Sequence, residues 1–171
     1  MPIHRHVIFD VETTGLSAPR GDRVIELGAV AVESGKITEE FHALIDAGTR
    51  IPIAVRRIHG ITNDMLRGKP KPGDVFPQFK EFIQDSILVA HNAQFDVRFL
   101  RYEFSRLGFG LDNRYLCTLE MCRKRYPRLP NHRLETICRH LFGQQVEEVQ
   151  LHRALADARM VARVWLEMVR K

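Results

Sequence analysis

Hydrophobic positions first appear as an unbroken run, Val7-Ile8-Phe9, that ends abruptly in acid at Asp10. A short, continuously apolar run of this kind reads as a strand buried on both faces. Val24 to Val32 is a second strand, interrupted only by Glu26 and Gly28, and between the two Ser17 to Asp22 is a turn-rich loop. Ser34-Gly35-Lys36 carries hairpin-turn residues. Lys36 to Ile45 then alternates as a third strand with Phe41, Ala43 and Ile45 on one face.

From Ile51 to Asp85 the pattern turns helical. Thr62 offers an N-cap to a short helix, Asn63 to Arg67. The Pro70/Pro72 pair breaks the chain, and Asp74 to Ile83 carries apolar residues at Val75, Phe76, Phe79, Phe82 and Ile83. Ile87 to Ala90 is a short buried strand, Phe95 to Leu107 a helix and Tyr115 to Thr118 a fifth strand. Helices over Leu119–Tyr126, Asn131–Phe142 and Ala154–Val169 follow, the last with Ala154, Ala158, Val161, Trp165 and Met168 on one packing face. Hairpin-joined strands followed by helices alternating with short buried strands predict an α/β fold with a mixed sheet. The length of 171 residues, without repeats, low-complexity tracts or linkers, predicts one compact domain over residues 1–171.

A hydrophobic content of 44% with 27% charged residues is that of an ordinary soluble globular protein. No apolar run approaches a membrane span, and Met1 to His6 lack a signal-peptide core, so a cytoplasmic protein is expected. The odd count of 3 cysteines, without a Cys-x-x-Cys pair, points to free thiols rather than disulfides or zinc, with Cys138 in the core. A net charge of +5 favours a polyanionic partner, although charge by itself decides little. The basic segment Arg123 to Arg128 is equally a guide for a phosphate backbone and a solvated helix end.

Chemistry enters at Asp10-Val11-Glu12-Thr13-Thr14-Gly15. Residues i and i+2 of a strand share a face, so Asp10 and Glu12 project together. Paired carboxylates raise each other's pKa unless a cation sits between them, and oxygen ligands of this kind suit Mg2+ or Mn2+. Three further segments carry acid or histidine: His59-Gly60-Ile61-Thr62, His91-Asn92-Ala93-Gln94-Phe95-Asp96 and His152-Arg153-Ala154-Leu155-Ala156-Asp157. Acids at strand ends and helix starts converge on the ligand-binding edge of an α/β sheet. Asp96, in the first turn of its helix, is equally a helix-stabilising surface acid. Asp157 lies close to an apolar helix face and needs a partner or a metal. His152 hangs from the loop before it, free to swing over the site and suited to take a proton from an attacking water at neutral pH. His59 reads as fixing a turn, His91 as capping a strand and orienting Asn92. Glu26, inside an apolar strand, reads as structural ahead of any part in holding a neighbour of the metal site.

Taken together and in this order, the four segments resemble the motifs of the DEDDh 3′→5′ exonucleases, and are similar to those of the epsilon proofreading subunit of bacterial DNA polymerase III. The resemblance covers essentially the whole chain. It implies a ribonuclease H-like fold, a five-stranded mixed sheet flanked by helices. It makes Asp10, Glu12, Asp96 and Asp157 the ligands of two divalent ions, Mg2+ or Mn2+, with His152 the general base. It implies hydrolysis of single-stranded DNA from the 3′ end to nucleoside 5′-monophosphates, with a DNA polymerase as a partner in proofreading or repair. Thr13, Gly15 and Leu16 would meet the terminal nucleotide, His59 and Ile61 would line the pocket, and Asn92 and Phe95 would flank the strand. For Leu16 and Ile61, core packing is the competing expectation.

This sequence departs from the resemblance in two places. Ala54 stands where many relatives carry a glutamate that contacts the terminal sugar, which leaves an exoribonuclease trimming RNA 3′ ends as the alternative. The chain also stops at Lys171, short of the polymerase-binding tail of the epsilon subunit, so a stand-alone nuclease and a truncated one both remain open. A module that binds nucleic acid or polymerase without cutting is disfavoured, because all four acids and the histidine are present.

Overall fold

A computed structural model of the chain describes residues 5–143 and 152–170. Its centre is β1 (His6–Thr13), whose Val7, Ile8 and Phe9 are wholly buried, as the apolar run predicts. β1 pairs antiparallel with β2 (Val24–Glu33) and parallel with β4 (Ile87–Ala90). β3 (Lys36–Leu44) extends the sheet beyond β2, and β5 (Tyr115–Cys117) beyond β4, giving the mixed order β3-β2-β1-β4-β5.

Alternation along β1 sends residues to two cores. Val7 and Phe9 join Phe76 and Phe79 of α3 (Pro72–Ile83) and Phe99 and Phe104 of α4 (Ala93–Arg106). Ile8, with Val30 and Val89, packs beneath Val161 and Trp165 of α7 (Ala154–Val169). Phe41, Ala43 and Ile45 meet the first of these cores from β3 and its end, as their alternation requires. Two smaller clusters complete the packing. One joins Cys122 of α5 (Thr118–Arg125) and Cys138 of α6 (Leu134–Phe142) to α7. The other buries Ile25, Ile51, Ile61 and Leu66 under α1 (Ile53–His59) and α2 (Asn63–Leu66).

Several boundaries move for local reasons. α4 begins at Ala93 rather than Phe95, because Asn92 takes a left-handed φ of 70° that turns the chain directly out of β4. α3 begins two residues early at Pro72, where Asp74 accepts the Lys71 N–H at 3.1 Å. α6 begins only at Leu134, since Asn131 is spent accepting from the Arg133 N–H and the Thr136 hydroxyl. α1 lies in the stretch from Ile51 where the pattern turns helical, although that pattern delimits no separate helix there. It is a short surface helix with Ile53 and Ile58 each 60% exposed, so its periodicity is weak.

Gly28 fixes how the layers meet. A Cβ there would overlap the backbone of Ala154 and Leu155, so the first turn of α7 lies directly on β2. All three cysteines are free thiols, with Cys138 buried. Among the described residues no helix is long and apolar enough to cross a membrane.

Candidate active site

Asp10 and Glu12 leave β1 where the strand runs past its partner: pairing with β4 ends at Ile8, while pairing with β2 continues to Thr13. The divergence frees the Val11 N–H on the β4 side, and Asp96 Oδ1 accepts it at 3.2 Å. Asp96 is thereby brought in from the first turn of α4, where it is only 3% exposed. That settles its two sequence readings against a surface acid. From the opposite face α7 contributes Asp157 in its own first turn, also buried. Asp157 Oδ2 accepts the His152 N–H at 2.9 Å, and Oδ1 is buried without any hydrogen-bond partner among the described residues. Ligand atoms of Glu12, His152 and Asp157 all lie within 4.8 Å of one another.

Crowding these acids away from water disfavours their charged forms. Burial, then Asp96, Asp157, Glu12 and Glu26, pushes Asp10 well above the usual carboxylate range. Burial and Asp157 raise Glu12 to about 8. Burial raises Asp96 to about 8, against the pull of the Val11 N–H, and Asp157 to about 6, against the His152 N–H. No lysine or arginine forms an ion pair with any of the four among the described residues. Oxygen donors that repel one another, with one carboxylate oxygen left unpartnered, fit hard divalent cations such as Mg2+ or Mn2+.

Glu26 sits beside this group, opposite Glu12 in the β1–β2 ladder, and is wholly buried. Burial by itself would raise its pKa, but contacts with His42 and Arg153 and the Ala154 N–H overturn that and hold it at about 2. His42 Nε2 lies 2.7 Å from Oε1, Arg153 Nη2 donates to Oε1 at 2.8 Å and the Ala154 N–H to Oε2 at 3.1 Å. What Glu26 holds is the segment that carries His152, so of its two sequence readings the contacts fit the one in which it holds a neighbour of the site. Arg153 and Gly28 complete that seat and were not singled out as site residues. The available signal was an acid inside an apolar strand, which demands a partner.

The loop after Glu12 is built around Asp22. Ser17 N–H donates to Asp22 Oδ2 at 2.9 Å, and a Cβ at Gly15 would overlap the same carboxylate. Thr13 Oγ1 donates to the Gly15 carbonyl at 2.6 Å, and Thr14 Oγ1 accepts the Arg23 N–H at 3.0 Å. The loop thrusts Leu16 into solvent at 79% exposure, which removes core packing as its explanation. Ile61 goes the other way. Its side chain is fully buried with Ile25, Ile51 and Leu66, so packing, not pocket lining, is its role.

His59 is 5% exposed, with Nδ1 accepting the Ile61 N–H at 3.0 Å. Burial lowers its pKa, opposed by the Thr13 backbone and Glu26 and assisted by His152 and Arg153, which puts it at the edge of the acidic group. His91 does not face the acids: its ring nitrogens lie 3.0 Å from Thr118 Oγ1 and 2.9 Å from the His132 carbonyl. Asn92 is exposed, and Phe95 is half-buried against Phe99 with ring centroids 4.9 Å apart. Arg123 to Arg128 has no ion pair among the described residues.

The RNase_T exonuclease family model matches residues 7–165. A PolC-type DNA polymerase III of Halalkalibacterium halodurans is 42% identical over 165 residues, 96% of this chain and 11% of that protein. The DNA polymerase III epsilon subunit of Aquifex aeolicus is 38% identical over 164 residues, 95% of this chain and 79% of the subunit. The chain thus spans about a tenth of the length of the PolC-type polymerases it matches. Among solved structures, exonuclease X in complex with 5′ overhanging duplex DNA superposes with a TM-score of 0.75 at 27% identity, over 96% of this chain and 89% of that one. E. coli exonuclease I in complex with a dA16 oligonucleotide superposes at 0.80 with 19% identity, over 98% and 41%. The fold is accordingly the ribonuclease H-like one.

Proposed function

The chain belongs to the RNase_T exonuclease family, and on that premise we propose that it is a metal-dependent 3′→5′ exonuclease that hydrolyses single-stranded DNA to nucleoside 5′-monophosphates. The observation that carries this reading is the convergence of Asp10, Glu12, Asp96 and Asp157 on one edge of the sheet beside His152, with Asp157 Oδ1 buried and unpartnered.

Asp10, Glu12, Asp96 and Asp157 would hold two divalent ions, Mg2+ or Mn2+. Once bound, such ions polarise a phosphodiester and stabilise the charge that builds on the attacking and leaving oxygens of an in-line displacement. The protein's own groups divide the remaining work. His152, with its backbone N–H tied to Asp157, keeps its imidazole free to take the proton of the attacking water. Glu26 and Arg153 fix the segment on which His152 stands. The backbone of Thr13 and Gly15 and the exposed Leu16 would receive the 3′-terminal nucleotide, with His59 at the edge and Asn92 and Phe95 flanking the strand. The kinship with polymerase-associated chains supports a role in proofreading or repair, in the cytoplasm and beside a DNA polymerase.

The test uses 5′-labelled single-stranded DNA and the matching RNA, each with Mg2+, Mn2+ or EDTA. A ladder shortening from the 3′ end only with metal supports the proposal. Faster loss of RNA would transfer the assignment to an exoribonuclease. Binding of either strand without any cutting would leave only a nucleic-acid-binding module.

A further inference from the structure

A groove of about 520 Å3 opens between the outer face of α4 and β5. Asn92, Gln94, Phe95 and the edge of Val97 line it together with Arg98, Arg101, Tyr102 and Tyr115. The end at Asn92 is the turn that delivers Asp96 to the site, so the groove begins where the proposed chemistry takes place. Gln94, Arg98, Arg101 and Tyr102 recur at helical spacing along a face that the core leaves uncovered, since α4 buries Ala93, Asp96, Phe99, Leu100 and Phe104 instead.

Two properties of this face point to one kind of ligand. Neither Arg98 nor Arg101 is ion-paired among the described residues, whereas Arg23, Arg153 and Arg159 all have carboxylate partners. Tyr102 and Tyr115 are 39% and 36% exposed, and the Arg101 guanidinium lies 5.8 Å from the centre of the Tyr115 ring. β5 is the edge strand, so among the described residues Tyr115 has no neighbouring strand beyond it. Cations without carboxylate partners beside partly exposed aromatic rings match the phosphates and bases of a single strand.

We propose that this groove holds the single strand upstream of the nucleotide being removed, with Arg98 and Arg101 on phosphates and Tyr102 and Tyr115 stacked on bases. The inference rests on the exonuclease reading for its direction, because it assumes a 3′ end seated at the acids. From Gln94 to Tyr102 the helix rises about 12 Å, room for about three stacked nucleotides at about 3.4 Å each. The groove therefore acts on strand length and leaves the scissile bond alone.

The experiment compares a dinucleotide with an eight-nucleotide single strand, in wild type and in an Arg98→Ala/Arg101→Ala variant. In the variant, kcat/KM on the longer strand should fall about tenfold or more, while the dinucleotide is cut within twofold of the wild-type rate. Equilibrium binding of the longer strand in EDTA, followed by fluorescence anisotropy, should lose about 1.4 from its log–log salt slope, about 0.7 for each phosphate contact removed. Tyr115→Phe should bind like wild type and Tyr115→Ala about tenfold more weakly. Equal losses on both substrates, or an unchanged salt slope, would overturn the proposal. Because binding is read without cutting, a wild-type protein that bound the strand in this way but cut neither substrate would refute the exonuclease reading and leave the groove standing.

Discussion

Glu26 grips Arg153 with both of its carboxylate oxygens. The Arg153 Nε lies 3.1 Å from each, and Nη2 lies 2.8 Å from Oε1, across 127 residues of sequence. The same carboxylate accepts the first free N–H of α7 at Ala154, so one buried acid on β2 sets both the charge and the direction of the segment bearing His152. His152 itself is held at a left-handed φ of 68°, a conformation that persists only when its surroundings enforce it.

Glu26 is therefore a positioning residue, and its removal should separate chemistry from binding. In Glu26→Gln, kcat should fall about ten- to a hundredfold while KM stays within twofold, because a misplacement of about 1 Å is enough to cost about a hundredfold. Stability should drop by about 3 kcal/mol, since Arg153 is left partly buried without its counter-charge. Steady-state kinetics at a temperature where circular dichroism shows the variant folded would check this. A rise in KM with kcat intact would assign Glu26 to substrate binding instead.

The same residues give the metal-free protein two opposing responses to pH. Glu26 is depressed to about 2, so its contribution is present above the ordinary carboxylate pKa and lost as pH falls toward 2. Glu12 and Asp96 are raised to about 8 and Asp157 to about 6. Their contribution is complete below the unfolded carboxylate pKa and lost as pH rises through those values. In EDTA the melting temperature should thus decline from pH 5 to pH 8.5, and Mg2+ or Mn2+ should restore it at the alkaline end. Calorimetry across that range decides; a melting temperature that climbs with pH in EDTA would contradict the raised values.

Neutralising the site should trade activity for stability. Asp10→Asn and Asp157→Asn are expected to lose turnover by about a thousandfold or more while melting at or above the wild-type temperature in EDTA at pH 8, since each removes a buried repulsion. His152→Ala should lose about 10²- to 10⁴-fold in kcat, the range of a general base, while keeping metal-induced stabilisation. Wild-type rates from any of the three would refute the roles given to them.

Gly28→Ala tests the seat from below. The added methyl group meets the backbone of Ala154 and Leu155, which has no flexible end to yield. Overpacking of about 1–3 kcal/mol is expected, together with a loss of activity larger than the stability change accounts for. Thermal melts and turnover measured on one preparation would show whether the two effects part company.

Most of this arrangement was legible in the sequence because the chemistry sits at punctuation. Asp10 ends an apolar run, Asp96 follows one, and Asp157 lies near an apolar helix face, so each acid could be assigned to a strand end or a first helical turn from the sequence. Local hydrogen bonding was harder to read. Asn92 starts its helix early through a left-handed residue, and Asn131 delays another by binding its own neighbours. Arg153 escaped notice because its meaning depends on Glu26, far away in the chain. Ile61 was ambiguous for a similar reason: an apolar residue beside a site histidine packs inward or outward according to neighbours that only the fold supplies.

The direct rest of α7 on β2 at Gly28 also bears on the protein's synthesis. Three of the four carboxylates belong to β1 and α4, but the fourth, with the histidine just before it, comes from α7, made after all five strands of the sheet. A nascent chain that has already built its sheet still lacks Asp157 and His152, so the proposed chemistry would have to wait for α7. Loosening of that helix would separate Asp157 from Asp10 and Glu12 in the same way, with the sheet itself still intact.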